Sequence, residues 1–382
     1  MTNRNGGTSS YTEKTCAVVF IIFCFVYIFF YQSDVLAAAQ HVASGGKTRY
    51  TPLLGAILIT IALKLLQSGI QTVFKLKNKW YWLGYFPSFL ILAACTNMPA
   101  TIEPNYSFEP WLWLLPLLLI VWLAVAILVK RGQGELSYRG KEGLFSRKTG
   151  MNLFLFLIMM LSTCLIGNKN RTFHEQMHVE SLISRSEYSD ACKAADKFMK
   201  GNHNIVVLRA FALAHEGNIG ADLFNCEMVG VNSIKPNQVN ISTLIVNKGK
   251  MYAEYKRNAD WQLCELLVNK NINAFHDKLI SFYGLQDFTP NTQSDDKNST
   301  GTKADGDSKK SADSLLRVSY SKLPEHYKEA LSLYAKLHHI ARYNSIDEEN
   351  AKKFLDFMAS DMSRRQKVYG KTYWYFYYTK IK

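Results

Sequence analysis

The chain has 382 residues, with 45 Lys and Arg against 31 Asp and Glu, for a formal net charge of +14. Its mean hydropathy of −0.09 averages two unlike parts, so the composition does not describe a uniformly soluble protein. It carries no P-loop, no G-x-S-x-G elbow, no dinucleotide fingerprint and no arguable paired-carboxylate site, which sets aside the commonest nucleotide-dependent and hydrolytic classes. The positive charge needs no nucleic acid to account for it, because much of it lies in short loops between apolar stretches.

Five apolar stretches fill the N-terminal part: Cys16–Tyr31, Pro52–Phe74, Trp80–Asn97, Trp111–Val129 and Met151–Gly167. Each is long enough, or nearly so, to cross a hydrocarbon layer of about 30 Å at about 1.5 Å per residue. The first reads as a retained anchor. Its run is long, and no small-x-small cleavage site follows directly, Ala37, Ala38 and Ala39 lying further on. Pro87 and Pro116 interrupt the third and fourth stretches singly, as membrane helices tolerate. Lys64 lies within the second, beside Gln67 and Ser68. It marks either an ion or substrate path or, as the adopted reading, a place near the end of the span from which the amine snorkels to a headgroup. Cys16, Cys24, Cys95 and Cys164 read as apolar filler.

Loop charge sets the expected orientation. Lys75, Lys77 and Lys79 separate the second and third stretches, and Lys130, Arg131, Arg139, Lys141, Arg147 and Lys148 separate the fourth and fifth. The loop between the third and fourth has no Lys or Arg and carries Glu103 and Glu109. Short cationic loops stay in the cytoplasm. The N-terminus is therefore expected inside and the C-terminal domain outside, with Lys47 and Arg49 as a minor exception. In a bacterium this is a multi-pass inner-membrane protein with a periplasmic domain, touching membrane lipids through its cationic loops.

Beyond residue 168 the apolar spacing is helical. Glu180 to Phe198 reads as a helix, a turn at Ser184–Glu187 and a second helix. Asn204 to Phe224 reads as another pair, with Gly217 where a helix C-terminus needs positive φ. The offset between the two is close to the roughly 34-residue period of tetratricopeptide repeats. Trp261 to Tyr283 reads as an amphipathic helix pair. Thr289 to Ser314 is polar and free of aromatic residues, and reads as a disordered loop. Pro324 opens a helix carrying Tyr327, Ala330, Leu331 and Tyr334 on one face, and Asp347 to Met362 forms the next. The aromatic tail around Tyr373, Trp374 and Tyr375 reads as a final strand or extended arm on the helical core. With Tyr327 and Tyr334, these three are the candidate partner-binding residues. Cys192, Cys226 and Cys264 are an odd set without C-x-x-C spacing; three buried thiols are expected, with one disulfide as the alternative.

His174-Glu175-Gln176-Met177-His178 matches H-E-x-x-H. On a helix, histidines at i and i+4 share a face and can both bind zinc, with the glutamate placed to activate a metal-bound water. Glu254 is the downstream candidate for a third ligand, Glu180 and Glu187 being nearer. The adopted reading is a surface helix with two chance histidines and no cofactor; a membrane-bound zinc metallopeptidase using Glu175, His174, His178 and Glu254 is the alternative.

Four pieces, Phe211–Phe224, Leu263–Phe275, Leu323–Leu331 and the Gly370–Tyr378 tail, in this order after a block of spans, resemble an uncharacterised family of multi-span envelope proteins from Bacteroidota. This chain is shorter than those proteins and lacks some of their middle helical repeats. The resemblance implies architecture and a bacterial envelope location, and no chemistry. The expected fold is all-α: a five-helix transmembrane bundle over residues 1–168, then a tetratricopeptide-like periplasmic domain over 169–382. The expected function is non-catalytic binding of an envelope protein or peptide partner, with homo-oligomerisation open. A transporter or lipid-linked sugar handling protein is a further alternative in which Lys64 matters.

Overall fold

The computed structural model describes residues 11–76, 78–98, 109–132, 147–198, 202–226, 228, 231–237, 243–285, 319–340 and 347–379. Every regular element among them is helical. The chain divides into two compact units, Met1–Met177 and His178–Lys382, and the polar stretch Thr289–Ser314 lies outside the described residues.

In the first unit, α1 (Tyr11–Val26) continues as a π-helical turn (Tyr27–Tyr31), followed by α2 (Ser33–Ala43) and α3 (Pro52–Phe74). A 3₁₀ stretch (Asn78–Tyr85) leads into α4 (Phe86–Thr96), and α5 (Glu109–Gly132) and α6 (Arg147–Ile166) complete it. Among the described residues four helices are long and apolar enough to cross a membrane: Tyr11–Tyr31, Pro52–Phe74, Pro110–Gly132 and Thr149–Ile166, of 21, 23, 23 and 18 residues. Their outer faces carry side chains such as Phe30, Leu65, Trp113, Leu128 and Leu165, all exposed. This is the surface of a membrane protein, since such apolar side chains belong in lipid.

The third predicted span differs from expectation. Trp80–Asn97 is not one α-helix but the end of the 3₁₀ stretch and the 11-residue α4. Pro87 lies in the first turn of α4, where its missing N–H costs nothing, so it begins a helix instead of interrupting one. The segment is also the most enclosed of the unit, with Leu83, Tyr85, Phe89, Leu92 and Ala93 all buried.

Contacts fix the directions of these segments. Thr12 of α1 bonds Thr149 of α6 at 2.8 Å, and the Trp82 amide donates to Asn152 Oδ1 at 2.8 Å. At the other end Asn168 N donates to Thr96 O at 2.9 Å, and Tyr27 Oη bonds Thr96 Oγ1 at 3.3 Å. So α1, the 3₁₀–α4 segment and α6 run the same way. In α3, Leu63 accepts from Ser88 at 2.9 Å, while Ile70 and Phe74 pack with Leu83. In α5, Trp111 packs with Leu90 and Ala94, while Trp122 Nε1 donates to Leu83 O at 2.9 Å. Both therefore run the opposite way, and the five segments alternate in direction along the chain.

The second unit contains the C-terminal half of α7 (Arg171–Ser184), then α8 (Tyr188–Phe198), α9 (His203–Glu216), the single turn α10 (Ile219–Asp222), α11 (Lys248–Arg257), α12 (Ala259–Val268) and α13 (Ile272–Tyr283). It ends with α14 (Glu325–Leu337), α15 (Glu348–Ala359), α16 (Met362–Tyr369) and α17 (Tyr373–Tyr378). In α9 every residue from Ile205 to Ala214 is buried; all are apolar except Arg209, which is ion-paired with Asp196. Gly217 caps it at φ 73°, where a Cβ would be strained. Beyond Gly217 the second predicted hairpin departs from a repeat, because α10 is one turn that gives way to a 3₁₀ turn and irregular chain. The aromatic tail is also not a strand: Thr372 caps the Tyr375 amide and starts the short helix α17.

Short polar side chains start most helices. Asn202, Asn247, Asn258, Asn271, Asp347 and Asp361 each accept a backbone amide of the first turn, which leaves fewer donors unsatisfied.

Candidate functional site

The H-E-Q-M-H residues lie on α7, and their side chains have separate neighbours. His174 Nε2 donates to Asn168 O at 3.0 Å, and its ring lies 5.4 Å from that of Tyr31. Glu175 is ion-paired with Arg171 at 2.7 Å. The His178 ring lies 6.3 Å from Phe198. Among the described residues no group of three or more His, Cys, Asp or Glu is placed to hold a metal ion, so Glu254 does not complete a ligand set with the two histidines. Glu180, the nearer acidic candidate, is engaged elsewhere: its Oε2 accepts the amides of Leu244, Ile245 and Val246 at 2.9, 2.6 and 3.1 Å.

Four of the five aromatic partner candidates are core residues. Tyr327 and Tyr373 are fully buried, Trp374 is 1% exposed and Tyr334 is buried. Tyr375 is half-buried against the core. The Tyr373 amide donates to Glu329 Oε2 at 2.7 Å and Trp374 Nε1 to Glu329 O at 2.7 Å, while Tyr327 Oη bonds Asp260 Oδ1 at 3.0 Å. Aromatic side chains whose polar tips are satisfied inside are packing elements. The tail thus locks α17 onto α14 through Tyr373 and Trp374, with Tyr375 half-buried and Tyr378 exposed.

What the second unit does expose is an apolar strip at its C-terminal end. Leu355, Met358 and Met362 are 59%, 36% and 62% exposed, next to the core residues Phe354 and Phe357. Arg365 fastens α16 to α15 by donating to Phe357 O and Met358 O at 2.9 and 2.7 Å, so the two helices that carry the three side chains are joined. Arg364 is neutralised by Asp356 and Lys353 by Glu349; Lys352 and Lys367 are solvent-exposed. Exposed leucine and methionine side chains form an adaptable apolar surface, and the same segment carries exposed Asp361 along with these two lysines. The sequence carried a signal for it: apolar residues at 354, 355, 357 and 358 cover too wide an arc for one buried stripe, so some must face outward.

The three cysteines of the second unit are free thiols, and of the three expected to be buried only Cys264 is, Cys192 and Cys226 being half-buried. Cys226 Sγ donates to Asp196 Oδ1 at 2.9 Å, and Cys264 is buried beside Tyr327. Burial pushes the Cys192 thiol up to about 11 and the Cys226 thiol up to about 12, so neither is an activated nucleophile at neutral pH.

In the first unit α3 does not end near Lys64 but continues ten residues to Phe74. Lys64 Nζ donates to Gln67 Oε1 at 2.5 Å and to Tyr85 Oη at 3.4 Å, and lies 5.3 Å from the Tyr85 ring centroid. The amine is held by interior groups of its own bundle, contrary to the snorkelling expectation.

Comparison of the chain with protein-family models, with curated proteins and with solved structures finds no match in any of the three.

Proposed function

We propose that this protein is a five-crossing membrane protein whose helical domain binds a protein or peptide partner without catalysis. In this reading the Asn78–Thr96 segment is the fifth crossing. Its 3₁₀ part rises about 2 Å per residue and its α part about 1.5 Å, which together reach about 30 Å, and its enclosure by other helices excuses the break in helix type. The tetratricopeptide-like character of the domain, a bacterial inner-membrane location with a cytoplasmic N-terminus, and kinship with the Bacteroidota envelope family belong to the same proposal. No cofactor is needed.

The observation that carries the binding role is the exposed Leu355–Met358–Met362 strip. An occupant with an apolar face and acidic flanks would cover it and meet Lys352 and Lys367. Photo-crosslinking residues placed at 355 and 362 in native membranes test it, with position 250 on exposed α11 surface as the control. A discrete adduct at 355 and 362, absent at 250, supports partner binding; an adduct of twice the chain mass makes the partner a second copy. The same labelling at all three positions, or none, would overturn it.

A further inference from the structure

The membrane unit holds a cation for which the structure provides no counter-ion contact. Among the described residues no carboxylate lies within ion-pair distance of Lys64; Glu13 and Cys16 of α1 act on it only as more distant electrostatic neighbours. Its level can be read from three helices. Phe20 and Phe156, which pack on Tyr85, each lie nine residues into α1 and α6, and Lys64 lies ten residues before the end of α3. Counted from the apolar limits Cys16, Met151 and Phe74, these residues lie four, five and ten positions in, about 6–15 Å at about 1.5 Å per residue, so the cluster is inside a hydrocarbon layer of about 30 Å, toward its cationic end.

The amine spends two of its three N–H groups on the acceptors Gln67 Oε1 and Tyr85 Oη, which leaves one N–H for a further acceptor. Tyr85 is fully buried beneath it, and Tyr81 adjoins both Gln67 and the Tyr85 hydroxyl. Gln67, 1% exposed, supplies one carbonyl oxygen. Thr60, one turn earlier on the same face of α3, is 95% buried by its 5% exposure, and its hydroxyl has no partner. Thr60, Lys64, Gln67 and Gln71 recur at intervals of four, three and four, a polar stripe along an otherwise apolar span. A cation with an N–H to spare and no carboxylate in contact, one turn from an unpartnered hydroxyl, suits an anion at this depth. Lys64 itself is only half-buried, and the flank beside it carries exposed Ile57, Ile61 and Leu65, a surface on which an acyl chain would lie.

We propose that Lys64, with the Thr60 hydroxyl, binds the anionic head group of an amphiphile that enters sideways from the bilayer, its chain lying along Ile57, Ile61 and Leu65. A carboxylate and a phosphate monoester share this chemistry. The inference is independent of the domain's partner and needs only that α3 spans the membrane.

The test uses the full chain in neutral detergent and quenching of its tryptophan fluorescence by dibromostearic acid, with the methyl ester of the same acid as the uncharged control. Wild type is expected to bind the acid roughly ten-fold or more tightly than the ester, since a hydrogen-bonded charge pair contributes at least that factor. Lys64→Met removes the difference and Lys64→Arg keeps it. Competition by oleate and by oleoyl lysophosphatidate then tells a fatty acid from a lipid phosphate. Equal binding of acid and ester by wild type would overturn the proposal, as would an unchanged preference in Lys64→Met. Should Lys64→Met fail to fold, Thr60→Val, which preserves the volume, is expected to weaken binding of the acid and leave the ester unaffected; no selective weakening there also overturns it.

Discussion

Three buried glutamates hold irregular or terminal chain to the helices of the second unit. Glu180 of α7 receives three consecutive amides from residues 244–246. Glu265 of α12 receives the Ile234 amide at 2.7 Å and the Ser233 hydroxyl at 2.6 Å. Glu329 of α14 receives the Tyr373 amide and pairs with His326 at 2.9 Å. A carboxylate accepting several amides compensates for its own burial and satisfies donors that lack a sheet or helix ladder. Truncation would leave those donors buried and unpaired. Glu180→Ala is therefore expected to destabilise the second unit by about 3 kcal/mol, read as a lowered thermal midpoint in detergent, while Glu175→Ala, which removes only a surface ion pair, shifts it by less than about 1 kcal/mol.

A second residue-scale consequence concerns pH. Burial holds the His203 imidazole below its ordinary value, with the Ser233 backbone and Glu265 partly opposing, and its Nε2 is buried without a partner. The unfolded chain then binds a proton more readily than the folded one, so stability is intact above the unfolded value near 6.5 and falls as pH drops below it toward the folded value. Thermal midpoints from pH 7.5 to 5 are expected to decline less steeply in His203→Gln than in wild type; parallel curves would assign the acid sensitivity to other groups.

At the scale of elements, two glycines three residues apart serve different ends. Gly217 is required by its positive φ. Gly220 has ordinary dihedrals, but a Cβ there would meet Pro324 and the Tyr327 ring at 2.9 Å, so it is the point where α10 and the start of α14 come together. Gly220→Ala is expected to cost about 1–3 kcal/mol through overpacking and to be partly relieved by Pro324→Ala, which removes the Cγ it strikes, but not by Tyr327→Phe, which keeps the struck Cζ. Gly217→Ala costs about 1 kcal/mol through backbone strain and no such rescue applies.

This pair also shows what was legible in the sequence. Gly217 follows a run of helical residues and announces a cap by local rules, whereas Gly220 owes its role to a residue more than 100 positions away. The helix pairs on either side of Ser184–Glu187 and within Trp261–Tyr283 follow from apolar spacing. The fates of Tyr373 and Trp374 do not: an aromatic run suits a strand, a binding face or a core equally until Glu329 is known to receive their backbone and indole N–H groups. Likewise Lys64 reads as a snorkelling residue while Tyr85 is distant in sequence, and as an interior group once Tyr85 lies beneath it.

At the scale of the whole molecule the decisive quantity is the parity of the crossings. Four long apolar helices alone would return the chain to the side where it began, whereas a fifth crossing by Asn78–Thr96 would leave the second unit on the side opposite the N-terminus. The alternation of direction favours the odd count, because α3 and α5 run the same way and a segment that turned back halfway would not extend along α6 from Asn152 to Asn168. Loop charge agrees, with basic clusters before the Asn78–Thr96 segment and before α6, and none between Met98 and Pro110. In a cysteine-free background, single cysteines at Gly45, Asn105, Gly134 and Lys250 report the sides by labelling with a membrane-impermeant maleimide in intact cells. Five crossings with the N-terminus inside predict labelling at 45, 105 and 250 and protection at 134. Four crossings, with the Asn78–Thr96 segment returning to its own side, predict that 105 and 250 are protected and that 134 is labelled. Position 250 alone decides whether the exposed strip at Leu355, Met358 and Met362 lies outside the cytoplasm or within it, and so on which side the proposed partner is to be sought.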